Sequence, residues 1–442
     1  MKLNAMICSG ALILLTLLTG CGRGGEGESA AVAAEKDWVR AHLDDVYLWY
    51  DEIIEVPASS YSSPPAYFYA LLVNYRDRFS YCSSETWANR LYQMGRTYDY
   101  GVTWGWAESG RLFAYDVDPA SPAYPHITRG MELRAVNGTS LSSIGDWSLN
   151  DLLYPEAAGV PITLTLRLPG TQATRTVTML STDYPVTTVD KASVLTLSNG
   201  KKTGYLLFNS HLATAEQGLS AAINSFRQQG IDDLVLDLRY NSGGLLVIAE
   251  KAASMIGGTP VQGKVFQKLI FNTKHPEETA DPDNTYHFST TGIYGGQLPQ
   301  LGVGRLFVLT GAGTCSASEA IINGLSPHMQ VIRIGATTCG KPYGSRSTTN
   351  AGLTYFALRF EGVNSLGTAD FKNGFAPTCE VPDDLNHQLG DRNEARLAAA
   401  LYYMQNNACP PAATVALPKA LPGTLPAYGE PEMLKNPAMM LQ

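Results

Sequence analysis

The sequence predicts an α/β protein in which a helical segment and a β-rich segment precede the main unit. Between residues 186 and 409, short apolar runs suited to buried strands alternate with stretches of helical periodicity. Between residues 97 and 184, short alternating segments are punctuated by Gly and Pro. A length of 442 residues, 45% apolar and 16% charged, is enough for about three domains of roughly 150 residues and excludes a wholly disordered protein. With 32 basic against 40 acidic side chains the net charge is -8, so a polyanion would meet repulsion and nucleic acid is not an expected partner.

The elements follow in order. Lys2 precedes an apolar run, Ala11 to Leu18, that falls short of the ~20 residues needed to cross a bilayer, so residues 1–20 read as a signal peptide. Leu18-Thr19-Gly20-Cys21 resembles the lipobox of bacterial lipoproteins. That resemblance implies cleavage before Cys21, lipidation of its thiol and membrane attachment through the lipid. The alternative is an ordinary signal peptide that carries a cysteine. Gly22 stands where an aspartate would signal inner-membrane retention, which points to the periplasmic face of an outer membrane within the cell envelope. Residues 21–36 are rich in Gly, Glu, Ser and Ala and read as a flexible tether. Residues 37–96 read as a helical domain: Asp37 is available as N-cap, and Val39, Leu43, Val46, Tyr47 and Tyr50 recur at helical spacing. Ser59 to Pro65 breaks this helix, and a second stretch follows from Ala66 to Tyr75.

Residues 97–184 include strand candidates at Ile162 to Leu168 and Thr174 to Leu180. Val117-Asp118-Pro119-Ala120-Ser121-Pro122-Ala123, Arg129-Gly130-Met131-Glu132-Leu133 and Val136-Asn137-Gly138 resemble the core of a PDZ domain. The resemblance implies capture of polypeptide C-termini by strand addition, with Tyr100, Gly101, Val102 and Thr103 at the carboxylate-binding loop. A packing module without a working groove is the alternative. In residues 186–409 the strand candidates are Gly204 to Phe208, Leu234 to Leu238, Arg305 to Thr310 and Val331 to Ile334. Leu219, Ala222, Ile223 and Phe226 form a helical stripe stopped by Gly230, and Asp391 with Glu394 opens another through Leu397, Ala400, Leu401 and Met404. Residues 410–442 hold seven Pro and read as a tail without a fixed fold.

Two segments ask for more than packing. Asp237-Leu238-Arg239-Tyr240-Asn241-Ser242-Gly243-Gly244 runs a buried strand into a glycine turn whose amides can face developing negative charge. Gly313-Thr314-Cys315-Ser316-Ala317-Ser318-Glu319 puts serines at a helix start, where free amides and the dipole favour an oxyanion. A capping box from Ser316 or Thr314 to Glu319 accounts for the same residues without chemistry. A serine needs a base, and the seven histidines sit in no local motif. Lys341, in the turn Gly335 to Lys341, lies among Thr, Cys, Gly, Pro and Tyr; burial there would bring an ordinary lysine pKa of ~10.4 down to about 7 or 8. The same turn matches G-x-x-x-x-G-K, yet Pro342 replaces the magnesium-binding Ser or Thr, so nucleotide binding is not expected. No zinc-type spacing occurs, and neither metal nor cofactor is expected. Among the cysteines, Cys379 with Cys409 is the preferred pair and Cys315 with Cys339 the second.

The ordered set of a PDZ-like segment, D-L-R-x-N-x-G-G, S-A-S-E and a G-K turn 25 residues after the first serine of that motif resembles the S41 peptidases, the C-terminal processing proteases. The resemblance implies a ClpP/crotonase-like α/β core over residues 186–409 and a serine endopeptidase acting on polypeptides, with Ser316 as nucleophile and Lys341 as general base. Oxyanion donors would be Gly243 or Gly244 with Ala317. Ser318 is the rival nucleophile. Ser345 stands where many members carry a glutamine that orients the lysine. Asp237, Arg239 and Glu319 are expected to hold the turns. The other class of function on this fold is a non-catalytic ligand- or peptide-binding lipoprotein. The oligomeric state is not legible.

Overall fold

The computed structural model describes residues 29–107, 110–411, 432–433 and 440–441. The signal peptide and Cys21 lie outside the described residues, as does most of the proline-rich tail. Among the described residues no helix is long and apolar enough to cross a membrane.

The first helix, α1, spans Ala30–Val46 and is capped by Ser29, whose hydroxyl accepts from Val32 N–H. This corrects two expectations, the tether reaching residue 36 and the cap at Asp37. Four alanines among residues 30–34 favour helix strongly, and Lys36 is buried with its ammonium on the carbonyls of Ala58 and Tyr61. Val39, Leu43, Val46 and Tyr47 face inward as the periodicity required. Helix α2, Pro64–Leu71, starts with Ser63 as cap and Pro64 in its first turn, and it stops short of Tyr75.

Five antiparallel strands follow in the order β1 (Val102–Trp106), β2 (Leu112–Val117), β3 (Glu132–Val136), β4 (Pro161–Arg167) and β5 (Thr174–Leu180). Ile162, Leu164 and Leu166 point into this module's core while the intervening threonines are less buried, the period of two that marks a half-buried sheet. On the other side of β1, Glu432–Met433 pairs antiparallel, opposite Trp106 and Gly105.

The main sheet runs β6 (Val189–Thr196), β7 (Lys202–Phe208), β8 (Asp233–Asp237), β9 (Arg305–Thr310) and β10 (Gln330–Gly335), followed by Cys379–Glu380. Only the β6–β7 pair is antiparallel. Helix α3 (Ala215–Gln229) joins β7 to β8 and ends at Gly230 in the left-handed conformation. Helices α4 (Leu246–Gly257) and α5 (Ala317–Leu325) lie in the next two crossovers. Leu206, Phe208, Leu234, Leu236, Leu306 and Val308 pack with these three helices in one core. The alternate residues Tyr205, Leu207, Val235, Phe307 and Leu309 pack against α6 (Ala395–Asn406) in another. A sheet covered on both faces explains why its strands read as continuous apolar runs.

Beneath β8, Arg239 is fully buried and bonds Asp237, Asp383 and Glu394, with both terminal nitrogens on the Glu394 carboxylate at 2.6 and 2.8 Å. Arg129, from the β-rich module, reaches the same Asp383 at 2.6 Å and so ties the module to the main unit. After β10 the chain enters β11 (Tyr343–Arg346), which pairs antiparallel with Leu358–Val363 and, on its other side, parallel with Met440–Leu441. Both expected disulfides are present, Cys315–Cys339 and Cys379–Cys409. Cys82 is free.

Candidate active site

Because β8, β9 and β10 are parallel neighbours, their carboxyl ends bring together three turns that are far apart in sequence. The β8 turn holds Asn241 to Gly244, the β9 turn leads to Ser316 at the start of α5, and the β10 turn leads to Lys341. Hydrogen bonds interlock them. Thr314 Oγ1 donates to Leu238 O at 2.9 Å, Cys315 N–H to Asn241 O at 3.2 Å, and Cys339 N–H to Thr314 O at 3.0 Å.

Glu319 sits buried between the last two turns. Its Oε2 accepts from Ser316 N–H at 2.9 Å and from Lys341 N–H at 2.8 Å, and its Oε1 accepts from Gly340 N–H at 2.8 Å and from the Thr338 hydroxyl at 2.5 Å. Burial raises the pKa of this carboxyl, and the four donors oppose that shift. One oxygen shared by two backbone amides fixes Ser316 and Lys341 side by side. Ser316 and Glu319 thus stand in capping-box positions at the start of α5; the Glu319 half is a formed hydrogen bond, whereas Ser316 Oγ is buried and makes no hydrogen bond. The bond from Ser316 to the lysine amine is thus not formed in this conformation. Ser318 Oγ is committed elsewhere, donating to Asn241 O at 2.9 Å.

Ser316 adopts φ 62° and ψ -116°, a conformation a non-glycine residue holds only where its surroundings over-determine it. Gly243 and Gly244 also have positive φ, 107° and 134°. A Cβ on Gly243 would fall 2.9 Å from Ser316 Cβ, so the glycine turn rests directly on the serine. Gly243 N–H donates to Asn241 Oδ1 at 2.9 Å; the amides of Gly244 and Ala317 take no part in that bond. His211 supports the same turn. Its Nδ1 lies 3.0 Å from Asn241 Oδ1, its backbone brackets Gly243 and Leu245, and burial pushes its pKa down to about 4.

Lys341 is 1% exposed, and burial pushes its pKa down to about 8. The sequence reading placed no carboxylate around it, and this is corrected: Asp77 and Glu319 both act to raise the pKa, and burial outweighs them. The face of Phe79 lies 5.2 Å from the lysine nitrogen. Asp77 is itself held by Tyr47 OH at 2.8 Å and by the amides of Phe79 and Ser80, each at 2.8 Å. Asp77, Phe79 and His211 were not singled out by sequence reasoning for this site, and Asn241 stood in the glycine-turn motif with no role of its own. The first two come from a polar stretch without a motif, some 260 residues before the lysine they face, and no spacing signal could have found them. Ser345 is buried in β11. At the carboxyl ends of β9 and β10 a cleft of ≈ 690 Å³ is lined by Ala312, Ala336, Thr337, Pro377 and Glu380, and neither Ser316 nor Lys341 is among its lining residues.

The hydrogen bonds described for the PDZ-like loop are made within its own module. The amides of Tyr100 and Gly101 donate to Asp99 Oδ1, while Val102 and Thr103 pair with β2 as the start of β1.

The chain is 29% identical over 233 residues to a carboxyl-terminal-processing protease of Picosynechococcus sp., covering 50% of this chain and 49% of that one. It is 28% identical over 236 residues to the chloroplastic C-terminal processing peptidase of Tetradesmus obliquus, covering 50% and 46%. The chain thus spans about half the length of the curated relatives it matches. A crystal structure described as an S41 protease from Bacteroides fragilis shares the fold with a TM-score of 0.64 at 23% identity, over 84% of this chain and 97% of that one. The photosystem II D1 C-terminal processing protease shares it at 0.52 and 18% identity, over 81% and 94%. The family model for peptidase family S41 matches residues 202–381, which hold all three turns, and the model for the S41 N-terminal domain matches residues 34–81, which hold Asp77 and Phe79. With both parts of the family pattern on the segments that build the site, the chain belongs to peptidase family S41.

Proposed function

We propose that this S41 peptidase is a serine endopeptidase with a Ser316/Lys341 dyad. The observation that carries the reading is the single oxygen of Glu319 that accepts from the backbone amides of both residues, next to a lysine whose pKa burial lowers to about 8. Near pH 8 about half of such a lysine is neutral and can accept a proton. Rotation of the Ser316 and Lys341 side chains into bonding distance lets Lys341 take the hydroxyl proton as Oγ attacks a peptide carbonyl. The oxyanion that forms lies at the start of α5, where the amides of Ala317 and Gly244 stabilise it and Gly243 gives the turn its shape. Protonated Lys341 then hands its proton to the leaving amine, and water releases the acyl group by the same base. The unpartnered Ser316 Oγ favours it over Ser318, whose hydroxyl is already bonded. Asp237, Arg239 and Glu319 serve as scaffold.

With Ser316 0% and Lys341 1% exposed, a polypeptide reaches them only when covering segments move. Strand addition along β1, as Glu432–Met433 does, supports a peptide-holding role for the module of residues 97–184, with Tyr100 to Thr103 at its head; the names of the relatives support action near the C-termini of substrates. Leu18 to Cys21 supports an exported lipoprotein that meets its substrates in the cell envelope.

Incubation of the purified protein with an unstructured polypeptide, followed by mass analysis of the fragments, tests this. Cleavage should be lost in both Ser316→Ala and Lys341→Ala. Cleavage surviving both changes removes the dyad, and binding without cleavage by the wild type favours the ligand-binding alternative.

A further inference from the structure

The residue before Ser316 and the residue two before Lys341 are joined covalently. The Cys315–Cys339 disulfide has a Cα–Cα distance of 5.1 Å and a sequence separation of 24, so it crosses directly from the β9 turn to the β10 turn. We propose that this disulfide is a positioning element of the dyad, and that its reduction disarms the enzyme while leaving the fold intact. The inference rests on the Ser316/Lys341 reading above.

Three observations carry it. Apart from the disulfide, the contacts described between the two turns are hydrogen bonds: three donors of the β10 turn, Thr338, Gly340 and Lys341, on Glu319, and Cys339 N–H on Thr314 O. These can open and close locally, whereas Ser316 needs a surrounding that holds its positive φ at all times. The bridge also lies close to Glu319. Cys339 Sγ is 3.3 Å from Glu319 Oε2, the oxygen that holds both backbone amides. Once reduced, the Cys339 thiol becomes a donor to that oxygen and competes with the two amides. Finally, the two sulfurs differ in access: Cys315 is buried at 1% exposure, and Cys339 is half-buried. A dithiol reductant would attack Cys339 Sγ, with Cys315 leaving as thiolate. Its second thiol then resolves the mixed disulfide. Two electrons and two protons pass to Cys315 and Cys339, and the reductant leaves as its own cyclic disulfide. The second disulfide, Cys379–Cys409, joins the far strand of the sheet to the segment after α6 and touches neither turn, which makes it an internal control.

The test uses the full-length protein with Cys82 blocked by N-ethylmaleimide. The protein is treated with a dithiol, both sets of released thiols are alkylated or reoxidised, and mass spectrometry reports which bridge is open. Opening Cys315–Cys339 should lower kcat at least tenfold, toward the ~10²-fold loss that a misplacement of about 1 Å produces, with KM within about twofold. Reoxidation should restore kcat. Cys315→Ala/Cys339→Ala should match the reduced protein, and Cys379→Ala/Cys409→Ala should keep wild-type turnover when oxidised and lose it on reduction. Wild-type kcat with both Cys315 and Cys339 alkylated overturns the inference. So does loss of the far-UV circular dichroism signal in both the reduced protein and the Cys315→Ala/Cys339→Ala variant, because the bridge is then a general staple. The underlying reading fails separately: hydrolysis by oxidised Ser316→Ala removes the dyad, whereas Ser316-dependent hydrolysis indifferent to reduction removes only the role of the disulfide.

Discussion

The environment of Lys341 has two walls of different origin. One is built from the carboxyl ends of β8, β9 and β10, where Glu319, the glycine turn and the lysine's own backbone are fixed by short hydrogen bonds within residues 202–381. The other is brought by the N-terminal unit: Asp77, pinned by Tyr47, and the face of Phe79. The first wall sets where the lysine stands, and the second helps decide its charge. Burial disfavours the ammonium, the Asp77 carboxylate favours it together with Glu319 from the first wall, and burial prevails to leave a pKa of about 8. Geometry and basicity are thus separable here, and substitutions on each wall should change different observables.

The largest effects belong to the strand-end wall. Ser316→Ala and Lys341→Met should each lower kcat/KM for a peptide substrate by at least ~10³-fold. Arg239→Met, directly beneath the glycine turn, leaves Asp237, Asp383 and Glu394 without their shared cation, and urea unfolding should register a loss of about 3–5 kcal/mol. Lys341→Met should act in the opposite direction on stability. The ammonium is disfavoured in the folded state, so its penalty is fully present below pH about 8 and fades as pH rises toward the unfolded lysine value; removing it should stabilise the fold at pH 7 by up to about 3 kcal/mol. On the N-terminal wall, Asp77→Asn removes a charge that favours the ammonium. The acidic limb of the pH–rate profile should therefore move to lower pH, by up to about one unit, with kcat at high pH little changed. A shift to higher pH would show that Asp77 does not act on Lys341 through its charge. The smallest effect lies far from both walls. Gly230→Ala, at φ 63° with open space around it, should cost about 1 kcal/mol in thermal unfolding without changing activity.

These two walls also mark what the sequence reveals. Periodicity located the helix stopped by Gly230, the strand Arg305–Thr310 and the stripe through Leu397 and Met404, but the last helix is capped by Glu394 itself and does not open at Asp391. The strand-end turns that carry Ser316 and Lys341 were legible as turns after buried strands, and the structure brings the two turns together on Glu319. The start of α1 was misread because Gly, Glu, Ser and Ala together resemble a linker, while the alanines alone make helix and Lys36 finds carbonyl partners only in the folded protein. Asp77 and His211 were illegible for a related reason. An acidic residue in a loop and a histidine after a strand have no meaning until the fold places one beside Lys341 and the other beside Asn241.

The central claim is that a buried lysine, in its neutral form, activates Ser316. It is tested most directly by the pH dependence of Ser316 acylation by an activated ester, measured for the wild type and for Lys341→Met. The account predicts a rate that rises with an apparent pKa near 8 and falls about tenfold for each pH unit below it, a dependence absent from Lys341→Met. A limb near the ordinary histidine value of about 6.5, or one that survives Lys341→Met unchanged, would contradict it.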